Sequence, residues 1–126
     1  MTTYGKQHMV TIKELAEAAI SGDNFALRSL YQDFAYESQR LSEYPRPQTD
    51  DKQVLAAAAS LIELLAERSK QSPPNWTMEI GALAKPIYLV PSANKMKRLR
   101  TLCENESPQP LRKRGFYAPP NFLEFA

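Results

Sequence analysis

Histidine and cysteine are almost missing from this chain: His8 and Cys103 are the only ones in 126 residues. One cysteine rules out an intrachain disulfide and an all-thiolate metal site. One histidine, set on the N-terminal lead-in, leaves no second imidazole for a metal. It also leaves no serine–histidine–aspartate relay unless His8 itself takes part. Glycine is scarce as well, with four residues and no cluster, which removes the glycine-rich loops that cradle phosphates. No nucleophile elbow, Walker loop or zincin motif is present. Neither a metal nor an organic cofactor is therefore expected. No apolar run approaches the roughly 20 residues that span a bilayer, and MTTYGKQHMV lacks the basic-then-apolar layout of a signal peptide. No membrane partner is expected, and the cytoplasm is the expected compartment.

Helical periodicity fills much of what remains. The length suits one domain, 1–126, with 1–9 as a loose lead-in. Thr11-Ile12-Lys13-Glu14 is a capping box that predicts a helix through Leu15, Ala19 and Ile20, closed by Gly22. Asp23 or Asn24 caps a second helix. Its Phe25, Leu27, Leu30, Tyr31, Phe34 and Leu41 fall at helical spacing and predict a core face. The tight turn between the two has the outline of a helix-turn-helix. Asp33 and Glu37 beside only Arg28 and Arg40 suit a phosphate-facing helix poorly, so an ordinary helix pair is the better reading.

Pro45 and Pro47 break the chain, and Asp50 or Asp51 caps the clearest helix. Val54, Leu55, Ala58, Leu61, Ile62 and Leu65 form its stripe, with Glu63 and Glu67 on the wet side. Ala56, Ala57 and Ala59 admit a close neighbour. An internal helix is the simplest neighbour; a homodimer seam is the alternative. After Pro73-Pro74, Asn75 is placed to cap a short helix over 77–80. Trp76 locks a loop over the core edge, and Glu79 is its companion anchor. Residues 84–91 read as a loop laid across the bundle, with a two-residue bridge to Phe116-Tyr117 as the alternative.

Ser92 is expected to cap a basic helix reaching Asn105, with Met96, Leu99, Leu102 and Cys103 inward. Cys103 on that stripe reads as a buried thiol. Lys95, Lys97, Arg98 and Arg100 occupy the other faces, and Glu106-Ser107-Pro108 stops the helix. Phe116, Tyr117, Phe122, Leu123 and Phe125 then make an aromatic-rich tail, which exposed would be a sticky patch and is expected to dock, on its own core or on a partner. The expected fold is mainly α: a compact bundle of about five helices with Pro-rich loops and 107–126 docked as a C-terminal segment.

Charge is unevenly spread. Residues 1–84 carry 8 Lys+Arg against 11 Asp+Glu, a net of −3; residues 85–126 carry 8 against 3, a net of +5. The candidate binding residues follow: Arg98, Arg100, Arg112, Lys113 and Arg114, with Phe116 and Tyr117 beside them. One arginine of the Arg112-Lys113-Arg114 run is open to an inward role, bridging to Glu79 or a backbone carbonyl. An outward patch with Tyr88 or Tyr117 suits RNA or single-stranded DNA through charge and stacking. Enzyme chemistry has one candidate, Glu79 held in an apolar pocket by Trp76. A glutamate–arginine tether explains Glu79 more simply, and Asp50-Asp51 is explained by capping.

The second half of the chain resembles a family of small uncharacterised bacterial proteins. The shared layout is an Ala-rich helix (Leu55–Arg68), a Pro-then-Trp turn (Pro74-Asn75-Trp76) and a Pro-bounded aromatic segment (Pro86-Ile87-Tyr88). A helix carrying Leu99-Arg100-Thr101-Leu102 follows, then the tail Ser107-Pro108-Gln109-Pro110-Leu111-Arg112-Lys113-Arg114-Gly115-Phe116, with Asn121 after it. The resemblance covers roughly residues 53–125. It implies a domain found beside repressor-type DNA-binding domains or nucleotidyltransferase-like genes, in toxin–antitoxin-like settings. Residues 1–126 contain no repressor-type domain, so direct operator binding is not implied. The expectation is a non-enzymatic interaction module with a protein partner, antitoxin-like in character. A nucleic-acid-binding accessory protein is the second reading, and an enzyme of unrecognised type the third.

Overall fold

The third helix organises the structure, a computed structural model that describes residues 10–37 and 40–124. Asp51 starts this helix by accepting the N–H groups of Gln53 and Val54 at 2.9 and 3.2 Å. It runs Lys52–Arg68 and is designated α3 below. Val54, Ala56 to Ile62 and Leu64 to Ala66 are all buried. Ser60, buried among them, turns its hydroxyl onto Ala56 O at 2.9 Å. The alanines therefore serve a neighbour within the chain, and they are not open to a homodimer seam. That neighbour is α1, Ile12–Ser21, which packs along α3.

α1 begins with the capping box: Thr11 N–H donates to Glu14 Oε1 at 2.9 Å, and Glu14 N–H to Thr11 Oγ1 at 3.2 Å. It ends at Gly22, whose φ of 77° is left-handed and whose N–H reaches Ala18 and Ala19 carbonyls. α2, Asn24–Glu37, follows, with Asp23 Oδ1 accepting Ala26 N–H at 3.0 Å. Leu27 and Phe34 are buried and Leu30 and Tyr31 half-buried. Phe25 is not part of this face and stands 87% exposed. It lies two residues from Leu27, hence about 200° round the helix. Leu41 is also not on α2; it belongs to a separate 3-10 turn, Leu41–Glu43, with its N–H on Gln71 Oε1 at 3.1 Å.

Trp76 sits in a 3-10 turn, Asn75–Glu79, and its Nε1–H donates to Tyr44 O at 2.8 Å. Asn75 is inside this turn and does not cap it. Tyr44 in turn accepts Ile12 N–H at 3.0 Å and meets Phe34 edge-on at 5.5 Å. Burial pushes the Tyr44 phenol up, against the Ile12 bond that lowers it and with Glu14 adding to the rise.

Two corrections fall in the second half. The segment read as a plain loop makes the bridge: β1 (Ile87–Tyr88) pairs in parallel with β2 (Phe116–Tyr117), Ile87 opposite Phe116 and Tyr88 opposite Tyr117. Leu83, Ile87 and Leu89 N–H groups reach Arg114, Gly115 and Tyr117 carbonyls at 3.0, 2.8 and 2.9 Å. Gly115, at φ 93°, makes the left-handed bend that starts this run. The basic helix also breaks. A 3-10 turn spans Pro91–Asn94, and α4 begins only at Lys97 and runs to Glu106. Ser92 does not cap it: the Ser92 carbonyl takes both Lys95 and Met96 N–H, which closes the turn early. Met96 is consequently extended and 56% exposed instead of buried.

A four-residue helix, α5 (Gln109–Arg112), leads into β2. Buried Ser107 ties it back: its hydroxyl accepts Ala118 N–H at 2.9 Å, with the Cys103 and Ala118 carbonyls in reach of its proton. The C-terminal segment is docked, with Ala118, Phe122 and Leu123 buried. Arg68 of α3 holds it through the carbonyls of Phe122 and Pro120 and through Glu124 at 3.6 Å. The architecture is thus mainly helical, five α-helices and a two-strand ladder among the described residues. Residues 1–9, with His8, and Phe125 lie outside the described residues.

Candidate functional site

The basic residues singled out from the sequence separate into two groups with different work. Arg114 turns inward and is only 3% exposed. A guanidinium has five N–H donors in a fixed fork, and here each has an acceptor. Nε reaches Ile80 O at 3.1 Å. Nη1 reaches Glu63 Oε1 at 2.6 Å and Pro110 O at 3.4 Å. Nη2 reaches Glu63 Oε2 at 3.2 Å and Thr77 O at 2.7 Å. Lys113 Nζ adds a second cation to Glu63 Oε1 at 2.9 Å.

The acid that Arg114 meets is Glu63, not Glu79. Glu79 is exposed and pairs with Arg46 at 3.3 Å. Glu63 was assigned to the wet side of α3, yet its side chain is only 10% exposed. A signal for this exists in the sequence: its helical neighbours at i−4 and i+3 are Ala59 and Ala66. Burial pushes the Glu63 carboxyl up, and bonds from Arg114, Lys113 and Thr77 outweigh it and hold the group below the usual glutamate value. Phe116 is likewise removed from any surface role, at 0% exposure.

Arg100 is also committed. Its Nε lies 3.2 Å from Glu104 Oε2, and its guanidinium stands 5.0 Å over the Tyr88 ring. Tyr88 donates its hydroxyl to the same carboxylate. The parallel register brings Tyr117 beside it, ring centroids 5.3 Å apart at 35°. The Glu104 bond, then burial, pushes the Tyr88 phenol up, against the opposing charge of Arg100. Cys103, on the inner face of α4, is buried, and burial with Glu104 nearby pushes its thiol up.

Arg98 and Arg112 are the exposed candidates outside these ion pairs; Arg100 and Lys113 are exposed too but are paired with Glu104 and Glu63. Arg112 Nη1 rests on Asn105 O at 3.0 Å, at the end of α4. Sequence reasoning did not assign the other exposed residues of that helix face, Thr101 and Asn105, to a site. It also missed a concavity of ≈ 450 Å³ between α2 and the C-terminal segment. Phe25, Leu27, Val90, Pro119, Phe122 and Leu123 line it. Among the described residues no group of three or more His, Cys, Asp or Glu is placed to hold a metal ion. No described helix is long and apolar enough to cross a membrane.

No protein-family model, curated protein or solved structure matches the chain.

Proposed function

We propose that this chain is a non-enzymatic protein-interaction module, an antitoxin-like or accessory partner of a bacterial protein, acting in the cytoplasm. The observation that carries this reading is Phe25. Its ring is 87% exposed on the outer face of α2, at the rim of the apolar concavity bounded by Leu27, Val90, Phe122 and Leu123. A large exposed aromatic beside an apolar hollow is the composition of an interface anchor and its surround. The chemically versatile buried groups support the same reading, because both are engaged in holding the fold. Glu63 is neutralised by two cations, and Cys103 is kept as a buried thiol. The tail, expected to dock on its own core or on a partner, is turned onto the chain's own core at Ala118, Phe122 and Leu123, so the reading rests on α2.

The test is purification of an N-terminally tagged chain from its native cell, with and without nuclease, beside a Phe25→Asp variant. A stoichiometric protein that survives nuclease with the wild type and is lost with the variant supports the module. A partner retained equally by both removes Phe25 as the anchor, and a lone chain in every lane removes the constitutive complex.

A further inference from the structure

Helix α4 presents to solvent a face that the partner reading does not use. Lys97, Thr101 and Asn105 stand four residues apart and therefore share one stripe, with Arg98 beside it. All four are exposed, while Leu99, Leu102 and Cys103 turn toward the body. Lys95 precedes the stripe, exposed, and Arg112 reaches its far end through Asn105 O. The carboxylates nearby are Glu104, already held by Arg100 and Tyr88, and Glu106 on the last turn. Once the buried pair of Arg114 and the surface pairs of Lys113 and Arg100 are set aside, the remaining cations of residues 95–114, Lys95, Lys97, Arg98 and Arg112, lie on or beside this stripe. The helix also starts on Met96 with no side-chain cap, and the first N–H groups of such a helix favour an anion.

We infer that α4 is a duplex-DNA-binding helix that lays the Lys97–Thr101–Asn105 stripe against the major groove. Lys95, Lys97, Arg98 and Arg112 meet phosphates. Thr101 in the middle of the stripe and Asn105 at its far end carry the donors and acceptors that reach groove edges. With its side chains a helix is about 10–12 Å across, which fits a groove about 12 Å wide, and the ten residues of α4 lie along that groove for about 15 Å. This inference is independent of the protein-partner reading, which rests on α2.

The test uses the full chain and fluorescently labelled oligonucleotides of roughly 20 base pairs: duplex DNA, duplex RNA and single-stranded DNA. Anisotropy is followed between about 50 and 200 mM salt. The expected result is preference for duplex DNA, with a slope of log K against log salt of about −3 to −4, the value for about four phosphate contacts. Over that range affinity falls on the order of 10²-fold. The double variant Lys97→Glu with Arg98→Glu loses at least about tenfold by the same counterion argument. Arg46→Glu, whose partner is Glu79, binds as the wild type does. Circular dichroism confirms that each variant is folded. Absence of binding at the lowest salt, an unaffected double variant, or preference for duplex RNA overturns the proposal. Tighter binding to single strands also overturns it, and moves attention to the Tyr88–Tyr117 pair.

Discussion

Glu63 and Arg114 form a bidentate pair inside the fold across 51 residues of chain, Oε1 to Nη1 at 2.6 Å and Oε2 to Nη2 at 3.2 Å. The same guanidinium takes the carbonyls of Thr77, Ile80 and Pro110. One side chain thereby joins α3, the turn that carries Trp76, the stretch that follows it, and α5.

Removing Arg114 leaves Glu63 buried with only Lys113 and strips three carbonyls of a donor. Breaking a buried pair from one side costs about 3–5 kcal/mol. Arg114→Met is expected to lose stability of that order in urea unfolding at neutral pH. Glu63→Gln is expected to lose less, since an amide oxygen still accepts. The two together should cost less than their sum, because each removes the same interaction. Strict additivity would show that the pair does not act as a unit.

The same pair sets a dependence on acid. The folded carboxyl of Glu63 lies below its ordinary value, so its contribution is complete above the unfolded glutamate pKa of about 4.3 and is lost as pH falls through the folded value. Urea midpoints of the wild type should therefore decline more steeply below that point than those of Glu63→Gln. Parallel declines would mean that other carboxylates carry the acid sensitivity.

Ser107 and Cys103 supply a local test at the junction of α4 and β2. Ser107→Ala removes the acceptor of the buried Ala118 N–H, and an orphaned buried donor costs about 1–3 kcal/mol. Cys103, buried with its thiol pushed up, should react with a thiol reagent only as fast as the fold opens. Loosening the junction with Ser107→Ala should raise that rate. A Cys103 that labels at the rate of a free thiol in the folded wild type contradicts its burial.

What the sequence made legible is what is local. The Thr11–Glu14 box and the aspartate cap, which falls to Asp51, declare themselves within four residues and formed as expected; the α3 stripe formed in part, with Leu55 half-buried and Ala56, Ala57, Ala59 and Leu64 buried beside it. Periodicity failed at Glu63 because a contact from afar decides the side, and at Phe25 and Met96 because local geometry does. Glu63 is drawn inward by an arginine 51 positions on. Phe25 shares apolar character with Leu27 but not its face. Met96 kept helical spacing, yet the Ser92 carbonyl captured its N–H and ended the turn. β1 and β2 have two residues each, too few for an alternating pattern to show. The α4 candidate face was only half visible. Its cations could be counted, but which of them answer an internal carboxylate depended on Glu63 and Glu104 being in place.

Two glycines separate backbone conformation from close approach. Gly22 and Gly115 are both left-handed, at φ 77° and 93°, and an L-residue held there costs roughly 1–2 kcal/mol. At Gly115 an added Cβ meets nothing nearer than 3.8 Å, the Leu83 Cβ. At Gly22 it would lie 2.4 Å from Pro91 Cγ, a ring atom that opens the turn before α4. Gly115→Ala should show the conformational cost alone. Gly22→Ala should show that cost plus displacement of Pro91, and so a clearly larger drop in melting temperature. It should also disturb the turn that positions α4, seen as faster amide exchange at Ala93 and Lys95, whose N–H groups close that turn. Equal losses for the two variants would mean that the Gly22–Pro91 contact relaxes without cost.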